Sequence, residues 1–519
     1  MPVFQDPPGD RPEPPIDAGW TERPLLAHIA ALAARLPGQA SLDDGTRVLT
    51  FAELYGMACR LGRAIVAAGL PPGPVGIKLA DDAFYIVAML GCLAAGRPCL
   101  LLSTDAPEAY TARVVRATRT AGLVVAQAEG SEGIGRVALQ AALAGNDVPA
   151  PVAMDVREPA LILATSGSTG EPKAVVRSQH GLLTNVEPRI RKLRTGPDDR
   201  ALMLAPGSTS GAVHHRFGPL LAGATLHLVD LPRTGLAAVH ARLQAAGATI
   251  LRATPPILRA LARLDAAKAG FARLRVVLTG GEALMQADLQ QVRAKLPADC
   301  RVHYGLNMTE VSIAQWFVPP GEAHDAVRVA SGYLLPGTAA LLLDEGGQPS
   351  APGEPGELVV RSGRAAEGDW VDGRMVRDRF RVDPADPERR IHRTGEIVRI
   401  FPDGVVLALG RSDRLVKVSG ARVEPATIEM VARGVPGVTD AAVVAVSRAG
   451  EVRLCGFIVA ATDASETILE SVRTALRAAL PAPMRPSELR LAAAIPLTAA
   501  GKRDDAALQR LAAIRPDAG

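Results

Sequence analysis

Apolar residues recur at helical spacing from Leu49 to Gly69. Leu54, Met57, Ala58, Leu61 and Ile65 fall on one face, which predicts an amphipathic helix. Thr50 is placed to cap it, with Glu53 three residues later. Beyond it, short apolar runs alternate with helical segments. PVGIKLA is followed by DDAFYIVAMLGCLAAG and then RPCLLL. GATLHLVD is followed by LAAVHARLQAAG and ATILRAT, and LRVVLTGG by EALMQADLQQVRAKL and CRVHYG. Strands alternating with helices predict an α/β architecture with mostly parallel sheet. After about Val327 the helical signal thins, and TAALLLDEGG and GEPGELVVRSG read as strands and hairpins. The pattern after Gly410 suggests a small α+β unit. The expected organisation is therefore a tail over 1–16, a large N-terminal domain over 17–410 and a small C-terminal domain over 411–519.

At 519 residues the chain needs more than one core. The tail is Pro-rich and acidic, without the pattern of a leader, and reads as disordered. The apolar stretch 85–96 is too short to span a bilayer. Five cysteines without a C-x-x-C pair argue against a disulfide framework or a zinc site, so a cytoplasmic setting is expected. With 3% aromatics and a net charge of +4, a stacking platform for single-stranded nucleic acid is not expected. The densest basic run, RIRKLR at 189–194, reads as a solvated helix face. Only seven of the 58 basic residues are lysines. In a chain that uses arginine by default, a lysine marks a place where a compact ammonium is required.

The segment LATSGSTGEPKAVVRS at 163–178 concentrates Thr165, Ser166, Gly167, Ser168, Thr169, Gly170 and Lys173. Small residues admit a ligand close to backbone N–H groups, hydroxyls add donors and lysine adds charge, which together describe a phosphate cradle. The competing reading is a flexible linker. The apolar run Leu161–Leu163 predicts a buried strand leading into the loop.

Five further segments occur in order: LTGGEAL, YGLNMTE, HRTGEIVRI, GRSDRLVKVSGARVEPATIE and PLTAAGKRD. With the first loop, this set resembles the adenylate-forming superfamily, which includes acyl- and aryl-CoA synthetases, peptide-synthetase adenylation domains and luciferases. The resemblance runs from about Leu49 to Leu508. It implies a large domain and a small mobile one hinged near Asp413, with Gly420 lining a thiol entrance. It also implies ATP and Mg²⁺ as requirements. Gly281, Glu282 and Ala283 would border adenine, Tyr304 would pack on it, and Thr309 would belong to the nucleotide site. Glu310 would serve Mg²⁺ and phosphate. Glu396, which stands where aspartate is usual, would hold the ribose with Arg411. Lys502 would bridge the acid's carboxylate and the α-phosphate. YGLNMTE has three residues, Leu306, Asn307 and Met308, where the family pattern has one, so its turn must bulge. Singly, LTGGEAL also reads as an ordinary strand-to-helix turn, and Glu396 and Lys502 as surface residues.

The resemblance lines the acid pocket with Ser210, Gly211, His214, Leu278, Gly280, His303, Ile313 and Ala314. Members that load α-amino acids have aspartate where Ser210 stands, so an ordinary α-amino acid is not expected. His214 and the adjacent His215 read as a packing and hydrogen-bonding pair rather than metal ligands, and His303 is placed to bond a polar substrate. The implied reaction joins a small aryl or acyl acid to ATP and passes the acyl group to a phosphopantetheine thiol. That thiol belongs to coenzyme A or to a carrier protein acting in trans. Neither a nucleic-acid nor a membrane partner is expected. A free-standing amino-acid-activating domain with an unusual pocket is the alternative, as is a non-catalytic homologue that binds nucleotide or acyl ligands.

Overall fold

The computed structural model describes residues 11–514 except 105, 128–133, 167–171, 205–206, 322–323, 413–415, 419–420, 424, 449–450, 461–465 and 499–502. The chain forms two compact units. The first comprises 1–341, 359–394 and 401–406, and the second 342–358, 395–400 and 407–519.

The predicted N-terminal helix is Phe51–Ala67. Thr50 Oγ1 accepts from the Glu53 N–H, and the Glu53 carboxylate accepts from the Thr50 N–H in a full capping box. Leu54, Ala58, Leu61 and Ile65 are buried, as their spacing requires. The next helix, Ala83–Ala94, is buried on every side. That explains its lack of a polar face.

The first unit holds the parallel runs of two sheets, each continued by antiparallel strands. One runs in the order Gly135–Ala138, Gly122–Val125, Val75–Lys78, Cys99–Leu101, Pro159–Ser166, Pro172–Ser178, Gly368–Val371 and Arg374–Val376. Its strands are parallel as far as Pro159–Ser166 and antiparallel beyond. In the other, a parallel run passes from Ala40–Asp43 through Thr225–Leu228, Arg200–Met203, Ile250–Arg252 and Val276–Gly280 to Arg301–Asn307. The antiparallel strand Ser312–Phe317 follows, then Gly332–Leu334. TAALLLDEGG and GEPGELVVRSG supply the strands Ala339–Leu343 and Gly356–Ser362.

The second unit contains an antiparallel pair, Val438–Arg448 and Glu451–Ala460, joined in parallel by Glu488–Leu491. Period-2 alternation divides its apolar residues between two faces. Ala441, Val443, Leu454 and Ile458 pack with Ile428 of the helix Pro425–Arg433 and with Val472 and Leu476 of the helix Glu466–Ala479. Ala442, Val444, Cys455 and Phe457 pack with Leu508 and Ala512 of the helix Asp505–Ala513. The whole is an α/β protein with a large N-terminal and a small C-terminal domain.

Two expectations need correction. Residues 11–16 of the supposed disordered tail are tied down: Arg11 pairs with the buried Asp199 at 2.8 Å, and Glu13 with Arg191 at 2.6 Å. Residues 1–10 lie outside the described part. The run 189–194 is not a solvated face either. It closes the helix Gln179–Leu193, where Arg189 is only 6% exposed and Leu193 is buried. Like charges in sequence do not all point one way on a helix, and Arg189 falls on the inward side.

Candidate active site

The Gly/Ser/Thr segment joins the antiparallel strands Pro159–Ser166 and Pro172–Ser178, with Thr165 opposite Lys173 and Ser166 opposite Pro172. These flanking strands belong to the first sheet. Gly167, Ser168, Thr169 and Gly170 lie outside the described residues, as do the side chains of Thr165, Ser166 and Lys173.

LTGGEAL follows the strand Val276–Gly280 and precedes the helix Gln286–Arg293. Gly280 and Gly281 take φ of 152° and 88°, values that favour glycine. The Tyr304 hydroxyl closes this turn. It accepts from the Leu284 N–H and donates to the Glu282 carbonyl, each at 3.2 Å. Tyr304 and the Gly281–Glu282–Ala283 turn, assigned separately to the nucleotide, therefore form one unit. In YGLNMTE the strand continues to Asn307. The two added residues are absorbed by a register shift between Leu306 and Asn307, and the hairpin closes through the Met308 N–H to the Val311 carbonyl at 3.0 Å.

That hairpin brings Glu310 to Arg379, whose Nη1 donates to Glu310 Oε1 at 3.1 Å. Arg379 also binds Asp369 through Nε at 2.8 Å and Nη2 at 2.6 Å. Burial alone would lower the Arg379 guanidinium, but the Asp369 and Glu310 carboxylates raise it above the usual arginine value. The Glu310 carbonyl accepts from the Ala366 N–H at 2.7 Å. The carbonyl of Thr309 accepts from the buried Arg177 at 3.0 Å. Sequence reading missed Arg379, Asp369 and Arg177. Nothing in GDWVDGRMVRDRF distinguishes its arginines, and their proximity to Glu310 is purely tertiary.

Mg²⁺ asks for hard oxygen donors and is commonly held by one or two carboxylates together with substrate phosphates. Glu310 has that chemistry, and a guanidinium already fixes its orientation. Among the described residues no cluster of three or more His, Cys, Asp or Glu could hold a metal by itself.

In the second unit Arg411 Nη1 donates to Glu396 Oε1 at 3.3 Å, and the Ser412 N–H donates to the Gly395 carbonyl at 2.8 Å. The two residues assigned to ribose are thus neighbours. Asp413, Gly420 and Lys502 lie outside the described residues. The residue after Lys502 does not: Arg503 is held by the carboxylates of Glu429 and Asp505. Glu429, 3% exposed, closes the motif GRSDRLVKVSGARVEPATIE and also accepts from the Val443 N–H at 2.9 Å. One buried acid thus links that motif to the residue that follows Lys502 in sequence, a role that sequence reading did not assign.

The residues expected to line the acid pocket all lie in the first unit. Ser210 begins the helix Ser210–Leu221 behind the cap Thr209, and its carbonyl meets His214 Nδ1 at 2.9 Å. Leu278 and His303 are partners on adjacent parallel strands, so they share a face, and Leu306 opposes Ala314. Ser210, His214, Leu278, His303, Ile313 and Ala314 are buried, whereas Gly211 is exposed. Burial, then Arg177 and Arg189, hold the His214 imidazole well below its usual pKa. Neutral, with Nδ1–H given to Ser210, it leaves Nε2 as an acceptor without a partner.

Two family models cover this arrangement. AMP-binding enzyme matches residues 29–370, and its C-terminal domain matches 427–502. The chain belongs to the AMP-binding enzyme family. It is 30% identical over 501 residues to tyrocidine synthase 3 of Brevibacillus parabrevis, with 92% of this chain covered. It is 32% identical over 519 residues to the isonitrile lipopeptide synthase of Streptomyces coeruleorubidus, with 95% covered. The chain spans only 7% and 34% of those two proteins. The fold of this AMP-binding protein matches a benzoate CoA ligase from Burkholderia xenovorans LB400 with a TM-score of 0.81, at 22% identity, over 94% of this chain and 100% of that one. Adenylate-forming enzymes of the kind the motifs resemble are thus its relatives by sequence and by fold. No helix among the described residues is long and apolar enough to cross a membrane.

Proposed function

We propose that this AMP-binding protein activates a carboxylic acid with ATP and passes the acyl group to a phosphopantetheine thiol, on coenzyme A or on a carrier protein. A carboxylate oxygen attacks the α-phosphorus, pyrophosphate leaves, and a mixed anhydride with AMP remains. Attack by the thiol then releases AMP. Two anions must meet in the first step, so fixed positive charge is needed where they touch. Lys502 would lie between the carboxylate and the α-phosphate, and Lys173 with the hydroxyls of its segment would hold the outer phosphates. Tyr304 and the turn it closes would seat the adenine, Glu396 and Arg411 the ribose. Glu310 would hold Mg²⁺, which when bound supplies charge neutralisation on the phosphates. The small domain would turn near Asp413 to replace Lys502 with the thiol entrance, so that one site serves both steps.

The observation that carries this reading is the pairing of an intact family match with a nucleotide-side framework closed by its own side chains: Tyr304 on the 282–284 turn and Arg379 on Glu310. A common α-amino acid is disfavoured in this reading because Ser210 brings no carboxylate to meet an ammonium, and an unpaired buried ammonium costs several kcal/mol. The likeness to peptide synthetases favours a second reading, a module that loads an amino acid through an unusual pocket. Acid-dependent exchange of labelled pyrophosphate into ATP decides between them. Aryl and acyl acids should exceed the twenty common L-α-amino acids. A single dominant proteinogenic amino acid would select the second reading, and exchange with no acid would reject both.

A further inference from the structure

Buried cations gather beside Leu278 and His303, two residues assigned to the acid pocket: Arg252 is the strand partner of Leu278, which in turn pairs with His303. Arg189 is 6% exposed, and neither its Nε nor its Nη1 has a hydrogen-bond partner. It lines a small cavity with Thr195, His215 and Leu278. Arg252, also 6% exposed, gives Nη2 to the Gly280 carbonyl at 3.1 Å and Nη1 to the Ala253 carbonyl at 2.6 Å, and its Nε is unpartnered. His215 Nδ1 and His303 Nε2 are likewise buried without partners. Among the described residues no carboxylate pairs with Arg189 or Arg252. Burial draws the Arg189 guanidinium down to about 10, and burial together with Arg189 does the same to Arg252, so both remain charged at neutral pH. Lys192, one turn beyond Arg189, is lowered by burial and by Arg189 to about 8 and adds positive charge beside His303.

Isolated charges in an apolar interior cost several kcal/mol each, and proteins do not retain them without a counter-ion. Here the carbonyls of residues 253 and 280 satisfy part of Arg252, and nothing described satisfies Arg189. The carboxylate that reacts with ATP cannot serve, because it must lie at the α-phosphate. We infer that the acid carries a second anionic group that enters between Arg189 and Arg252, so the substrate is a dicarboxylic acid. This rests on the proposed acid-activating function and narrows its substrate class. The planar guanidinium of Arg189 matches a carboxylate in a two-point contact. His215 and His303, held neutral by burial, offer further hydrogen bonds beside it. The same cations oppose an α-ammonium at this end of the pocket, in accord with Ser210.

The test compares acids of one skeleton: glutarate against valerate, and isophthalate against benzoate, in pyrophosphate exchange at pH 7.5. The diacid of at least one pair should be used with kcat/KM about 10²-fold higher or more, since a site built for a polar group rejects the analogue lacking it. Arg189→Met should erase that preference mainly by raising KM for the diacid, and Arg189→Lys should retain part of it. Calorimetry of the same acids without ATP reads the anion site apart from chemistry and should show the diacid bound more tightly by the wild type alone. Monoacids used as well as diacids, or a preference that survives Arg189→Met in a protein of unchanged melting temperature, would overturn the assignment while leaving acid activation standing. Exchange with no acid would instead reject the proposed function, and calorimetry would then decide the anion site by itself. If Arg189→Met does not fold, Arg189→Lys carries the comparison: an unaltered preference and unaltered diacid affinity would show a structural role only.

Discussion

Tyr304 was assigned to the nucleotide by resemblance of its motif, and its hydroxyl has work that the motif did not reveal. It bonds both a donor and an acceptor of the LTGGEAL turn. Tyr304→Phe keeps the ring and leaves the Leu284 N–H and Glu282 carbonyl to find other partners. A buried group left unpaired costs about 1–3 kcal/mol, so the variant should lower the denaturation midpoint and raise KM for ATP. Glu310 is a different case. Its chemistry was read from the residue type, and its orienting partner, Arg379, lay 69 positions away where no spacing argument reaches. Glu310→Gln keeps the shape and removes the charge. Acid-dependent exchange should fall by about 10²-fold or more, and added Mg²⁺ should restore only part of it. Unchanged exchange would remove Glu310 from the phosphate site. The run 189–194 marks the limit of reading at this scale. Its composition predicted solvation, and only packing reveals that one of its arginines faces inward.

Elements were more legible than contacts. The helix Phe51–Ala67 follows from periodicity and a capping box that both lie within a few residues of each other. The alternating strands and helices of the large domain follow from apolar runs too short to be helices. The bulge in YGLNMTE was required by residue count, and the structure places it between Leu306 and Asn307. Gly305 sits one residue before it, where a Cβ would collide with the carbonyl oxygen of Ala314 on the facing strand. The link from Glu429 to Arg503 was not legible, because it joins a helix to a residue 74 positions later. Breaking a buried ion pair by removing one partner costs about 3–5 kcal/mol. Glu429→Gln should therefore destabilise the small domain by roughly that amount and weaken adenylation, since Arg503 adjoins Lys502. A folded Glu429→Gln protein with full exchange activity would separate the two residues.

At the scale of the molecule, buried imidazoles set the response to acid. Burial lowers His214, His215 and His303 well below the usual value, and lowers His227 to about 4 against the opposing pull of Asp43. The unfolded chain takes up protons near pH 6.5, and the folded chain resists. Folded-state stability is therefore fully present above about pH 6.5 and is lost as pH falls toward about 4, with each such histidine contributing up to about 1.4 kcal/mol per pH unit. Urea midpoints measured from pH 7.5 to pH 4.5 should decline steeply through that window, and a flat profile would mean these histidines protonate in the folded state. The central claim concerns a bond, and an isotope follows it. An acid labelled with ¹⁸O in both carboxylate oxygens, given ATP, Mg²⁺ and a phosphopantetheine thiol, must leave one of those oxygens on phosphorus when the thioester forms. Mass spectrometry of the nucleotide product should find AMP carrying a single ¹⁸O. AMP without label, or ¹⁸O in phosphate beside ADP, would contradict attack by the carboxylate on the α-phosphorus and with it the account given for this site.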